Sequence, residues 1–62
     1  MITEAERWIN ERHIPFIIRG ALIEYTRMNI FGAEILKLME EKGLGTEAAI
    51  DLLLTKRLQE LT

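Results

Sequence analysis

The sequence has no cysteine, no valine and a single proline, Pro15. Without cysteine, neither a disulfide bond nor a thiolate metal site can stabilise the 62 residues. The missing valine and the lack of any alternation between apolar and polar residues argue against a β-sheet. Since a domain of this size is marginally stable on its own, dense helix packing or association with another chain must supply the stability.

A strong excess of one charge is also missing. The formal net charge is −2, which gives no electrostatic reason to bind nucleic acid or an anionic membrane. No uncharged run is long enough to span a bilayer, and the beginning of the sequence does not resemble a secretory signal. We therefore expect a cytoplasmic protein with no membrane partner, and nucleic acid is not a favoured partner.

The pattern of helix signals predicts an all-α protein with one domain over residues 1–62. Thr3 and Glu6 match a capping box at the start of a first helix, and Pro15 suits the first turn of a second. Gly43 suits the left-handed position that ends a helix, and Thr46 is expected to cap a third. The three predicted helices cover about residues 3–13, 15–42 and 46–61.

The central stretch carries an uncharged stripe in which the steps alternate between four and three residues. This spacing is typical of a helix that faces a partner helix. A break is the alternative, because Asn29 could cap a new helix and Gly32 costs about 1 kcal/mol in a helix interior. We favour a continuous helix, since the stripe keeps its phase through this segment. The stripe consists of Ile14, Ile18, Ala21, Tyr25, Met28, Gly32, Ile35 and Met39.

A continuous helix over residues 15–42 is too long for a compact monomer. It would measure about 42 Å, against a diameter of roughly 30 Å for a globule of 62 residues. It is also apolar over more than one face, as helices that are surrounded by others are. We therefore expect a homo-oligomeric helical bundle. The predicted interface residues are Ile18, Ala21, Tyr25, Met28, Gly32, Ile35 and Met39.

The flanking helices are expected to cover the central one. Trp8 is the expected anchor of the first helix, which should fold back at the joint formed by His13, Ile14 and Pro15. In the third helix the apolar face is formed by Ile50, Leu53, Leu54, Leu58 and Leu61.

Few residues suggest catalytic or metal chemistry. His13 is the single histidine, and one histidine without cysteine is a thin basis for a metal site. No nucleophile motif or phosphate-binding glycine loop is present, so we expect neither an enzyme nor a bound cofactor. Glu24 lies in an apolar neighbourhood, but we expect it to be solvated and paired with Arg27.

Arginines and aromatic residues cluster in the first half of the chain, a combination that can hold a phosphate or stack a base. The simpler interpretation is a mixed-charge surface in which arginine stems cover apolar area. Residues 38–53 have the rhythm of a helix–turn–helix, but Glu47 and Asp51 at the start of the last helix disfavour DNA contact. The possible ligand or partner contacts are Trp8, Arg12, His13, Arg19 and Arg27.

The sequence thus favours a small non-enzymatic interaction module, such as an adaptor, inhibitor or accessory factor, that acts as a homo-oligomer and binds another protein. Two alternatives stay open. One is a binding protein for a small anion or nucleotide, with its pocket between subunits. The other is a helix–turn–helix DNA-binding regulator.

Overall fold

The computed structural model describes residues 3–62, which form four α-helices and no strand. The helices are α1 (Glu4–Asn10), α2 (Phe16–Thr26), α3 (Asn29–Lys42) and α4 (Thr46–Leu61). The all-α prediction is confirmed for these residues. The predicted single domain also includes Met1 and Ile2, which lie outside the described residues.

Helix α1 begins as the capping signal predicts and ends earlier than expected. The Thr3 hydroxyl accepts a hydrogen bond from the Glu6 backbone N–H at 3.1 Å, which satisfies one of the unpaired donors of the first turn. The helix stops at Asn10 rather than at His13. The Arg12 N–H then bonds the Ile9 carbonyl at 3.3 Å, so the chain turns before the proline.

The continuous helix over residues 15–42 is wrong. Helix α2 ends at Thr26, whose hydroxyl donates to the Ile23 carbonyl at 2.7 Å. The backbone N–H groups of Arg27 and Met28 bond carbonyls three residues back, both at 3.1 Å, so the last turn is tightened. Met28 is extended, with φ −81° and ψ 144°, and α3 starts at Asn29. Asn29 is therefore the first helical residue and not the cap.

The break lets both halves of the central stretch pack within one chain. Tyr25 near the end of α2 meets Phe31 at the start of α3 edge to face, with ring centroids 5.1 Å apart at 74°. Leu22 and Ile35 are buried on the same inner side. The principal extents are 32 × 26 × 19 Å, so no 42 Å rod is present, and the length argument for an oligomer no longer holds.

Both α2 and α4 contact the other three helices, and α4 contributes the most buried residues, namely Ala49, Ile50, Leu53 and Leu54. The predicted bounds of α4 are confirmed, and so is the left-handed Gly43 that ends α3 with φ 65°. The predicted Thr46 cap is wrong, since Gly45 occupies the cap position and Thr46 is the first helical residue. The core consists of Ala5, Trp8, Ile9, Leu22, Tyr25, Phe31, Ile35, Ala49, Ile50, Leu53 and Leu54.

Candidate functional site

The strongest surface feature is an apolar face on α2 that no other helix covers. Phe16 and Ile17 are 89% and 85% exposed, and adjacent large apolar side chains in water are more informative than a single one. Together with the neighbouring small and half-buried residues they line a shallow groove of about 360 Å³. We define the α2 surface as Phe16, Ile17, Gly20, Ala21 and Ile23, with Arg19 and Glu24 at its edges.

The α2 surface follows from the way α2 is anchored. Ile18, Leu22 and Tyr25 are spaced by four and three residues and lie on one side of the helix. Leu22 and Tyr25 are buried and Ile18 is half-buried against the core. Since α2 is apolar on nearly all sides, turning this line inward leaves Phe16 and Ile17 in water.

The predicted interface stripe is divided by the break. Tyr25 and Ile35 lie in the core of their own chain and are therefore not free to meet a second chain. Ile18 and Met39 are half-buried against the core. The other three are exposed, and one of them, Ala21, belongs to the α2 surface. These three exposed residues are Ala21, Met28 and Gly32.

Two of the predicted arginine–aromatic contacts, Trp8 and Arg12, bond to each other and to α4 within the chain. The Arg12 guanidinium stacks 3.7 Å from the centre of the Trp8 ring and donates to the Trp8 carbonyl at 2.8 Å. Asp51 of α4 accepts from Trp8 Nε1 at 2.7 Å and lies 3.5 Å from Arg12. Arg7 and Glu47 make a further ion pair at 3.2 Å. This cluster joins α1 to the start of α4, which confirms Trp8 as the anchor of α1.

The remaining members of the predicted pocket lie apart. His13 is exposed in the α1–α2 connection, and Arg19 donates to the side chain of Asn10. Arg12 precedes α2 and Arg27 follows it, so the two are separated by a helix of 11 residues, or about 16 Å. Within one chain the structure therefore does not bring the five residues together, and a pocket between subunits stays a prediction, as does the helix–turn–helix alternative.

A polar contact that sequence reasoning missed is centred on Tyr25. Its hydroxyl donates to Glu34 Oε2 at 3.0 Å, and Arg57 of α4 lies 5.1 Å from the centre of its ring. Burial raises the pKa of Tyr25 to about 12, and the hydrogen bond and negative charge of Glu34 add to the effect. The nine-residue separation of Tyr25 and Glu34 crosses the helix break, so helical spacing does not indicate the pair.

Three further findings concern metal binding, membrane spanning and similarity to known proteins. Within residues 3–62 no group of three or more His, Asp or Glu side chains is placed to hold a metal ion. None of the four described helices is both long enough and apolar enough to cross a bilayer. Comparisons with protein-family models, with curated proteins and with solved structures found no match to this chain.

Proposed function

We propose that the chain is a small non-enzymatic interaction module that associates through the α2 surface. The observation that supports this is the exposure of Phe16 and Ile17, at 89% and 85%, beside a helix centre made of Gly20 and Ala21. Contiguous exposed apolar patches can mark sites of interaction with another molecule. Small residues between two large ones allow a partner helix to approach closely.

The expected affinity is modest. Full burial of a phenylalanine or isoleucine side chain contributes about 1.5–3 kcal/mol, whereas association costs at least about 4 kcal/mol in lost freedom. Burial of Phe16 and Ile17 therefore offsets this cost, and the net affinity must come from the other residues of the α2 surface. A transient complex in the micromolar to millimolar range is the expected outcome.

The non-enzymatic part of the proposal rests on the polar groups. Tyr25 has a pKa raised to about 12, which takes it away from the range in which a general acid or base works at neutral pH. Asp51, Arg12 and Trp8 bond one another and hold α1 on α4. These groups serve the fold. Met28, Ile30, Leu36 and Leu52 are exposed as well, but Phe16 and Ile17 of the α2 surface are the most exposed large apolar side chains of the described residues.

The test is a photo-crosslinking side chain placed at Ile17, with the same side chain placed at Leu52 as the matched control. Leu52 is an exposed leucine on α4, outside the α2 surface. In cells that express the chain, we expect covalent adducts from position 17 and few from position 52. Equal labelling from both positions, or no adduct from position 17, would overturn the proposal.

A further inference from the structure

The outward residues of α2 have the spacing of a coiled-coil seam. Phe16, Gly20, Ile23 and Arg27 follow one another in steps of four, three and four, which is the repeat of the two central positions of a heptad. Phe16, Gly20 and Arg27 are exposed and Ile23 is half-buried. The seam points away from the core, because Leu22 and Tyr25 on the other side of α2 are buried.

Two opposite charges flank this seam. Arg19 and Glu24 are both exposed, and they lie on opposite edges of the seam, about 70° from its centre when each residue turns the helix by 100°. In a parallel pair of helices, a flanking residue of one helix faces the flanking residue five positions later in the other helix, and Arg19 and Glu24 have this separation. The Arg19 guanidinium has five N–H donors, so its bond to Asn10 leaves donors for a carboxylate.

We infer that Phe16, Gly20 and Ile23 of the α2 surface pack on the same residues of a second copy, in parallel around a two-fold axis, with Ile17 at the flank of the contact. This inference rests on the proposed function and names the partner of that same surface. In a parallel pair, Arg19 of each copy meets Glu24 of the other, which gives two reciprocal ion pairs. In an antiparallel pair like edges meet, so Arg19 faces its own kind and Glu24 does the same. The charge pattern therefore selects both the partner and its direction.

Gly20 lies near the middle of the seam. A Cβ atom built on Gly20 has no neighbour within 4 Å in the chain, so the fold of one copy does not require glycine there. A second helix crossing at this point would use the space for close backbone approach. Arg27 follows α2 and lies at the C-terminal end of the seam. In the two-fold pair the Arg27 side chains of the two copies face each other, and their repulsion limits the contact at that end.

The first test is sedimentation equilibrium from about 10 μM to 1 mM, the range suited to a weak complex. We expect the natural chain to form dimers. Arg19→Glu or Glu24→Arg alone places two like-charge pairs in the dimer and should raise the dissociation constant about fivefold or more. The double variant Arg19→Glu/Glu24→Arg restores the pairs with reversed signs and should return the constant to within about twofold.

A matched control is the exposed pair Lys37–Glu41 on α3, at 3.9 Å. Its reversal should leave the dimer unchanged, and circular dichroism of every variant should show the same helix content. A chain that stays monomeric at 1 mM overturns the inference. A dimer whose dissociation constant is unchanged by both single reversals overturns it as well. If position 17 then crosslinks to a different protein, the proposed function stands, so the two failures are distinguishable.

The second test determines whether the two helices pack in parallel or antiparallel. The chain has no cysteine, so each introduced cysteine is the single thiol of its variant. Gly20→Cys and Arg27→Cys are both seam positions, seven residues or about 10 Å apart along the helix, and neither change removes an apolar side chain. In a parallel pair each variant should form a disulfide with its own kind, since like positions face each other. The two variants are then mixed and oxidised together. A disulfide that forms only between position 20 of one copy and position 27 of the other would overturn the parallel arrangement.

Discussion

At the scale of single residues, Tyr25 shows how one side chain joins three helices. Its ring packs on Phe31 of α3, its hydroxyl bonds Glu34, and Arg57 of α4 lies over its face. A buried hydroxyl needs such a partner, because burial without one costs several kcal/mol. The contact with Glu34 also explains why the chain must turn between Tyr25 and α3.

Tyr25 should lose its proton at a higher pH than an unburied tyrosine does. Its pKa is raised from about 10 to about 12, so the neutral form is favoured in the folded state. The stability that Tyr25 contributes is complete below pH 10, the unfolded value, and is lost as the pH rises from 10 to 12. Tyr25 is the single tyrosine, so phenolate absorbance reports it alone.

Two reference measurements separate the causes. In denaturant the midpoint of the Tyr25 titration should return to about pH 10. In Glu34→Gln it should fall part of the way, because the charge is removed while burial, the larger cause, remains. A folded chain in which Tyr25 titrates at its ordinary pKa would contradict this assignment.

At the scale of helices, the ends that carry local signals could be predicted from the sequence. The Thr3 hydroxyl bond and the left-handed Gly43 depend on residues within a few positions of each other. The bounds of α4 follow for the same reason, since its apolar face and its glycine-rich start adjoin in sequence. Such features form through nearest neighbours and need no knowledge of the tertiary fold.

The break at Arg27–Met28 could not be predicted from periodicity, because the apolar stripe has the same phase on both sides of it. What favours the break is the contact of Tyr25 with Phe31 and the burial of Leu22 and Ile35 in one core. The candidate site depends on the same packing. The excess of apolar residues on α2 is visible in the sequence, but which of them stay in water is decided by where α1, α3 and α4 lie.

The two helical glycines of this region, Gly20 in α2 and Gly32 in α3, make a matched pair for a test of helix propensity. Both are exposed, and neither has a neighbour within 4 Å of an added Cβ. Gly20→Ala and Gly32→Ala should each raise the free energy of unfolding by about 0.5–1 kcal/mol. Urea denaturation at a concentration where sedimentation shows the chain to be monomeric is the measurement. A destabilising effect of either change would show that the glycine is needed inside one copy.

At the scale of the whole molecule, stability is concentrated where α4 meets the other helices. Leu54 is fully buried in α4, whereas Leu52 on the same helix is exposed. Leu54→Ala should cost about 2–5 kcal/mol, which approaches the total stability of roughly 3–9 kcal/mol expected for 62 residues. Leu52→Ala should cost less than about 0.5 kcal/mol.

Fluorescence of Trp8, the single tryptophan, can follow urea unfolding in each variant. Leu54→Met keeps most of the side-chain volume and should cost less than about 1.5 kcal/mol, so it gives a readable result even if Leu54→Ala does not fold. Equal losses for Leu52→Ala and Leu54→Ala would contradict the position assigned to α4.

The large share of α4 in the core has a consequence for biosynthesis. During translation α4 leaves the ribosome after the three helices that it contacts. Until then the core that contains Ile9 and Leu22 lacks Leu53 and Leu54 of the same cluster. The four-helix core therefore cannot be completed before α4 has been synthesised.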